Sequence, residues 1–358
     1  MFENQLFMLS LERFNENPGF KRSMIHRNSQ TLQIPAWQNE LNRAIKDPKT
    51  LFEYLDLPKE YLPKAIQAHH AFPLRAPISF VSRIKKGDIN DPLLRQILPL
   101  DLELVDQPGY NADPVGDSQA EKLPGLIHKY PNRVLLTLTG ACAIHCRYCF
   151  RRHFDYQASN PSRRHWSKIL EYIKSDTGIS EVILSGGDPL SLSDKRLQSL
   201  IADLEEISHV KFLRFHTRQP VVIPARITDE FIRLLSETRF KPILVLHINH
   251  PQEIDTELKT AIAKLKEANI DLLNQTVLLK GVNDSVSNLT NLSLALGQAG
   301  VFPYYLHMLD KVTGASHFNI EQAQALKIME KLKQSLPGYL VPKLVQEVQG
   351  APYKLDVR

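Results

Sequence analysis

With 358 residues, 43% of them hydrophobic, and a net charge of +5, the chain can bury one large core, or one core with a smaller flanking layer. No run approaches the ~20 consecutive apolar residues of a membrane span. The start, Met1-Phe2-Glu3-Asn4-Gln5-Leu6 with Glu12, Arg13 and Glu16 close behind, lacks the order of a secretory leader, so a cytoplasmic protein with no membrane partner is expected.

In chain order, residues 1–30 are polar and aperiodic and are expected to be poorly ordered. Between 36 and 70 the spacing of Trp37, Leu41 and Ala44, then of Leu51, Tyr54, Leu55 and Leu57, predicts helices. The stretch 91–125 is rich in Pro, Asp and Gly without a period, which predicts an irregular arm. From about residue 132, apolar runs at 134–138, 182–184, 212–215, 243–248, 272–279 and 304–309 alternate with amphipathic stretches. One such stretch carries Trp166, Ile169, Leu170 and Ile173 on a single face; others cover 197–207, 231–235, 258–265 and 289–296. Six strand–helix units in series predict an α/β fold with a parallel sheet, most economically a partial (β/α)6 or full barrel. A helix over 321–336 and an extended tail over 339–348 follow. Three parts are therefore expected: an N-terminal helical and irregular arm (1–127), a barrel core (128–336) and a C-terminal tail (337–358).

Chemistry in such a fold sits at the carboxyl ends of the strands. There are three cysteines, all within the eight residues of Cys142-x-x-x-Cys146-x-x-Cys149, directly after the first of the six runs. An odd, tight cluster argues against disulfides and for a metal site, since thiolates suit iron–sulfur clusters or zinc. A zinc site needs a fourth ligand, for which His145 or His153 could serve. A four-iron cluster on three cysteines instead keeps one iron open to a further ligand. Ser185-Gly186-Gly187-Asp188-Pro189 follows the second run, and its glycines allow close approach to the backbone. Arg151 and Arg152 follow the last cysteine, and arginine matches carboxylates bidentately. Asp310 closes the sixth run, as a ligand for an ammonium or as a turn cap. His247 and His250 are as readily core histidines as ligands, and nothing in the local chemistry singles out Lys354. Basic residues are scattered, with short clusters at Arg83, Lys85 and Lys86, at Arg151 and Arg152, and at Arg163 and Arg164, too thin a footprint to predict a nucleic-acid partner.

The cysteine spacing and the Gly-Gly-Asp turn resemble the radical S-adenosylmethionine (SAM) superfamily. Further stretches are similar to the lysine 2,3-aminomutase family: His128-Lys129-Tyr130-Pro131-Asn132-Arg133-Val134-Leu135, Cys149-Phe150-Arg151-Arg152-His153-Phe154, His247-Ile248-Asn249-His250-Pro251 and Leu273-Asn274-Gln275-Thr276-Val277-Leu278-Leu279-Lys280-Gly281. The resemblance spans roughly residues 75 to 354. It implies an isomerase that shifts the amino group of L-lysine to give β-lysine. Cys142, Cys146 and Cys149 would hold a [4Fe-4S] cluster, and Gly186, Gly187, Asp188, His247 and Gln275 would line the SAM site. Lys354 would form the imine with pyridoxal 5'-phosphate (PLP), with Arg133 and Lys129 near its phosphate. Arg151 would hold the substrate carboxylate, and Asp310 and Glu347 its ε-ammonium.

Three stretches resemble in particular the bacterial branch that supplies β-lysine for elongation factor P: Phe80-Val81-Ser82-Arg83-Ile84-Lys85-Lys86-Gly87-Asp88, Asp91-Pro92-Leu93-Leu94-Arg95-Gln96 and Tyr304-Tyr305-Leu306-His307-Met308-Leu309-Asp310. That branch implies partners in an electron donor (a reductase or flavodoxin), elongation factor P and its ligase. The chain departs from the catabolic aminomutases in having Gly350-Ala351-Pro352-Tyr353 for a glycine run, Glu for Asp at 347, and no cysteine-bearing extension after Arg358, which leaves the assembly state open. The rival readings are an aminomutase for another amino acid, a radical SAM enzyme modifying RNA, and a zinc-bound module without catalysis.

Overall fold

The computed structural model describes residues 35–159 and 163–358, so the 1–30 segment expected to be poorly ordered lies outside the described residues. Ten strands form one sheet whose spatial order follows the chain: β1 (Glu121–Leu123), β2 (Leu126–Tyr130), β3 (Arg133–Thr137), β4 (Glu181–Ser185), β5 (Phe212–Thr217), β6 (Lys241–Leu246), β7 (Asp271–Val277), β8 (Phe302–His307), β9 (Lys343–Gln346) and β10 (Leu355–Asp356). All six apolar runs are strands, β3 to β8, and they pair in parallel with helical crossovers between them. The tail supplies a seventh parallel strand, since Tyr305, Leu306 and His307 of β8 register with Lys343, Leu344 and Val345 of β9. Antiparallel pairs add β1 and β2 before β3 and β10 after β9. β1, β2 and β10 are short and carry no long apolar run, so periodicity did not mark them, whereas β9 falls in the extended tail expected over 339–348.

Alternation along the strands separates two surfaces. Val134, Leu136, Val182, Leu184, Leu213, Phe215, Leu244, Leu246 and Leu272 face the helices and form the main core with Trp166, Ile169 and Ile173 of the helix Arg163–Ser175 and Leu197, Leu200 and Leu204 of the helix Asp194–Glu205. Residues one step along the same strands, such as Leu135, Ile183, His216, Gln275 and His307, all line one cavity, so the sheet wraps around it as a partial barrel. Polar caps start the crossover helices: Ser193 accepts from Arg196 N, Thr228 from Phe231 N, Asp255 from Leu258 N and Ser285 from Asn288 N.

The helical signals at 36–70 correspond to helices Ala36–Asn42, Pro48–Leu55 and Leu62–Ala71. Their apolar faces, with Phe80, Leu93, Leu94 and Ile97, make a second core that takes in Ala143 and Ile144 of the cysteine loop. The arm at 91–125 is irregular apart from β1 at its end and brief helical turns such as Pro92–Arg95 and Asp117–Ala120. Residues 35–358 cluster as one unit.

Candidate active site

The cavity inside the sheet measures about 930 Å³, and every residue given a role by resemblance lines it. Cys142, Cys146 and Cys149 stand beside Gly186, Gly187, Asp188, His247 and Gln275. Arg151, Lys129, Arg133, Asp310, Glu347 and Lys354 complete the set.

On the cysteine side, the loop after β3 is held by backbone and side chains from elsewhere. Its His145 and Arg147 amides donate to the Arg75 and Gln96 carbonyls at 2.9 Å each. Fully buried Arg147 donates to Glu103 at 2.7 and 2.5 Å, and Arg152 donates to the same carboxylate at 2.8 Å. Arg218 donates to Cys146 Sγ at 2.8 Å and is itself fixed by Glu253 at 2.9 Å and Gln96 at 2.6 Å. Desolvation pushes the Cys149 thiol up to about 11 and raises that of Cys142 well above its usual value, so burial favours the neutral thiols.

Close packing explains the glycines of the next turn. A Cβ on Gly186 would lie 2.6 Å from the Thr139 carbonyl, and one on Gly187 2.6 Å from that of Ala141. The side-chain space is filled by the cysteine loop itself, and the Gly187 and Asp188 amides bond Thr139 and Ala141 at 2.7 and 2.9 Å. The Asp188 carboxylate accepts from Leu190 N, Thr217 Oγ1, Arg218 N and Gln219 N at 2.7 to 3.0 Å, tying the ends of β4 and β5 together. His247 stacks on Tyr148 with its Nε2 3.0 Å from the phenol oxygen, and burial keeps its imidazole neutral.

The donor set fits an iron–sulfur cluster: three thiols on one loop, facing a roomy cavity. His145 and His153, the two residues able to complete a zinc site, contact the Pro73 and Thr313 carbonyls at 2.8 and 3.2 Å instead. Among the described residues, no three His, Cys, Asp or Glu side chains gather as they would on a single ion.

On the charged side, cations and carboxylates alternate. Arg151 donates from Nε to Asp117 at 2.7 Å and from Nη1 to Ser185 Oγ at 3.1 Å. Lys129 meets Asp117 at 2.6 Å, Glu347 at 2.8 Å and the Val115 carbonyl at 2.8 Å, which uses all three ammonium protons. The second oxygen of Glu347 bonds Lys354. Arg133 lies 4.2 Å over the Tyr130 ring and bonds Asn132.

Burial alone would raise Glu347, but Lys354 and Lys129 hold its carboxyl at about 2. Asp310 has no such pair: burial and then the Glu347 charge push it up to about 7, against a smaller pull from Lys354. Burial, followed by the Lys354 charge, brings His307 down to about 3. Of these two carboxylates, Glu347 is satisfied by cations, as Asp117 is, whereas Asp310 has no cation bonded to it among the described residues.

Several residues that matter here had no signal in the chain. Asp117 and Glu103 sit in the aperiodic arm, while Gln96, Tyr148 and Glu253 join Arg218 across separations of 35 to 122 residues. Only their tertiary partners reveal them.

A family model described as the radical SAM superfamily matches residues 136–291. An L-lysine 2,3-aminomutase of Haemophilus influenzae is 49% identical over 318 residues, covering 89% of this chain and 94% of that protein. The enzyme of that name from Escherichia coli is 46% identical, covering 90% and 96%. That of Clostridium subterminale is 36% identical, covering 90% of this chain and 77% of its own length. At this identity, over about nine-tenths of its length, the chain belongs to the L-lysine 2,3-aminomutase family.

Proposed function

We propose that this protein interconverts L-lysine and β-lysine, moving the amino group between C2 and C3 of one molecule. The observation that carries the reading is a single cavity with three cysteine thiols on one side and a set of cations and carboxylates on the other. Cys142, Cys146 and Cys149 hold the iron–sulfur cluster, with Gly186, Gly187, Asp188, His247 and Gln275 around SAM. Lys354 carries PLP, with Arg133 and Lys129 near its phosphate. When bound, these groups supply the hydrogen-abstracting radical chemistry and the carbonyl that captures the α-amino group.

The chain's own side chains do the rest. Arg151 presents its guanidinium to the α-carboxylate. Asp310 and Glu347 receive the ε-ammonium, which needs such pairing once it leaves water. An arriving ammonium favours the ionised form of Asp310, so substrate binding releases the proton that the empty site retains to about pH 7. Glu347 would lose Lys354 as a partner if that lysine held the cofactor, and would then be available to the substrate. An acidic substrate side chain is disfavoured, because two carboxylates already stand where it would bind.

The supporting test is anaerobic incubation with lysine, SAM, PLP and a reductant, followed by chiral analysis of the products. β-Lysine is expected, and recovery of unchanged lysine from iron-loaded protein would refute the reading. In parallel, Lys354→Ala loses the cofactor's imine absorbance and keeps the iron–sulfur signal; an unchanged spectrum reassigns the lysine. The branch-like stretches at 80–88 and 304–310 extend the proposal to a cytoplasmic protein that takes electrons from a reductase or flavodoxin and supplies β-lysine for elongation factor P. No helix of the described residues is long and apolar enough to cross a membrane.

A further inference from the structure

Asp117 has no part in the chemistry set out above, yet it is only 2% exposed and separates two cations assigned to different ligands. One oxygen accepts from Arg151 Nε at 2.7 Å, and the other meets Lys129 Nζ at 2.6 Å. A guanidinium has five N–H donors in a rigid plane. Fixing Nε on Asp117 and one Nη1 bond on Ser185 therefore sets the plane of a guanidinium that lines the cavity.

Asp117 is itself held in place. The Asp113 carboxylate accepts from the Asp117 and Ser118 amides at 2.9 and 3.1 Å, and Asp113 is braced by Asn111 at 2.8 Å. Gly116, with φ of +67°, makes the turn that feeds the helix Asp117–Ala120; a Cβ there would come within 2.7 Å of Gln349 from the tail. A braced turn thus presents one carboxylate to two cations.

We infer that Asp117 is a positioning residue for the reaction proposed above, on which this inference rests: it orients Arg151 so that the site selects substrates with a free α-carboxylate. Without that anchor, Arg151 retains its charge but not its direction. A point charge still attracts a carboxylate, while a directed fork also discriminates against the neutral amide that replaces it.

The test compares lysine with lysinamide, whose carboxylate is replaced by an uncharged amide. Each is titrated into PLP-loaded wild-type, Asp117→Asn and Asp117→Glu proteins while the cofactor absorbance is followed. Iron content and melting temperature are read on the same samples. Wild type favours lysine by roughly tenfold or more, as expected for a charge-assisted bond, and Asp117→Asn loses most of that preference while its affinity for lysinamide stays within about twofold. Asp117→Glu keeps the charge but displaces it by a methylene, so it loses part of the preference at normal iron content. This variant carries the test if the amide variant does not fold. Variants that keep the wild-type preference overturn the inference and leave the lysine reading standing. So does an equal weakening of both ligands, which is what a merely structural role produces. A wild type that responds to neither ligand defeats the lysine reading and the inference together.

Discussion

The two sides of the cavity solve the problem of buried charge in different ways. On the cysteine side, Glu103, Arg147, Arg152, Glu253 and Arg218 pair with one another behind the loop, and their partners come from the arm and from other strand ends. Those pairs need not open for a ligand to enter. On the charged side, Lys129, Glu347 and Lys354 are paired among themselves, and in the proposed reaction they are the groups that cofactor and substrate engage. One side is a scaffold that shapes a loop. The other is a set of exchangeable contacts in which a ligand replaces an internal partner, so that the site avoids bare buried charge before anything binds.

The largest effect that would sharpen this contrast comes from the loop. Changing Cys142, Cys146 or Cys149 to Ala should lower iron from about four per chain to a small residue and abolish turnover, as metal and sulfide analysis would read. Recovery of zinc without sulfide would overturn the cluster assignment. Next is Glu103→Gln, which leaves Arg147 and Arg152 without their shared counter-charge. A cost of about 3–5 kcal/mol is expected, seen as a lower melting temperature and weaker iron retention. Unchanged stability would mean that the pairs behind the loop are not a scaffold.

Asp310→Ala should then leave iron and PLP content normal while cutting kcat/KM for lysine roughly a hundredfold, since the ammonium loses a desolvated partner. Wild-type efficiency in that variant would remove the ammonium assignment. Arg151→Lys should also be damaging, because an ammonium cannot reproduce the fork.

The smallest effect separates the two carboxylates by pH in cofactor-free protein. Asp310 titrates near 7 when folded against an ordinary 3.8, so its contribution to stability is complete below about 3.8 and is lost as pH rises through 7. Glu347, held at about 2 against an ordinary 4.5, contributes above 4.5 and loses that contribution as pH falls through 2. Denaturant midpoints at about pH 5 and about pH 8 should therefore differ less in Asp310→Asn than in wild type. At the higher pH, Glu347→Gln should be less stable than wild type. Equal pH dependence in all three proteins would break the distinction between satisfied and waiting carboxylates.

What was legible in the chain follows from the range of the forces involved. The six central strands announce themselves because each is a local run with alternating burial, and the cysteine loop because its ligands are close in sequence. The roles of Lys354 and Glu347 have no local chemistry behind them; resemblance alone pointed there, and the cavity then placed both beside Asp310. Asp117 escaped notice because a Gly-Asp step in an aperiodic arm looks like any turn. Its meaning comes from Arg151, 34 residues away, and Lys129 on a neighbouring strand. The glycines at 186 and 187 were legible as a site of close approach, but the partner is the cysteine loop's backbone rather than a ligand alone.

The spatial order of the strands has a consequence for how the molecule is made. Because each strand pairs with the next one synthesised, the sheet can grow in the direction of translation, with only short-range searches between neighbours. The last strands are the exception in function. Lys129 of β2 finds Glu347 across 218 residues, and Lys354 follows it. The nascent chain can therefore assemble its thiol loop and the strands up to β8 before residues 343–356 are available to pair along β8 and complete the cavity wall that carries Glu347 and Lys354.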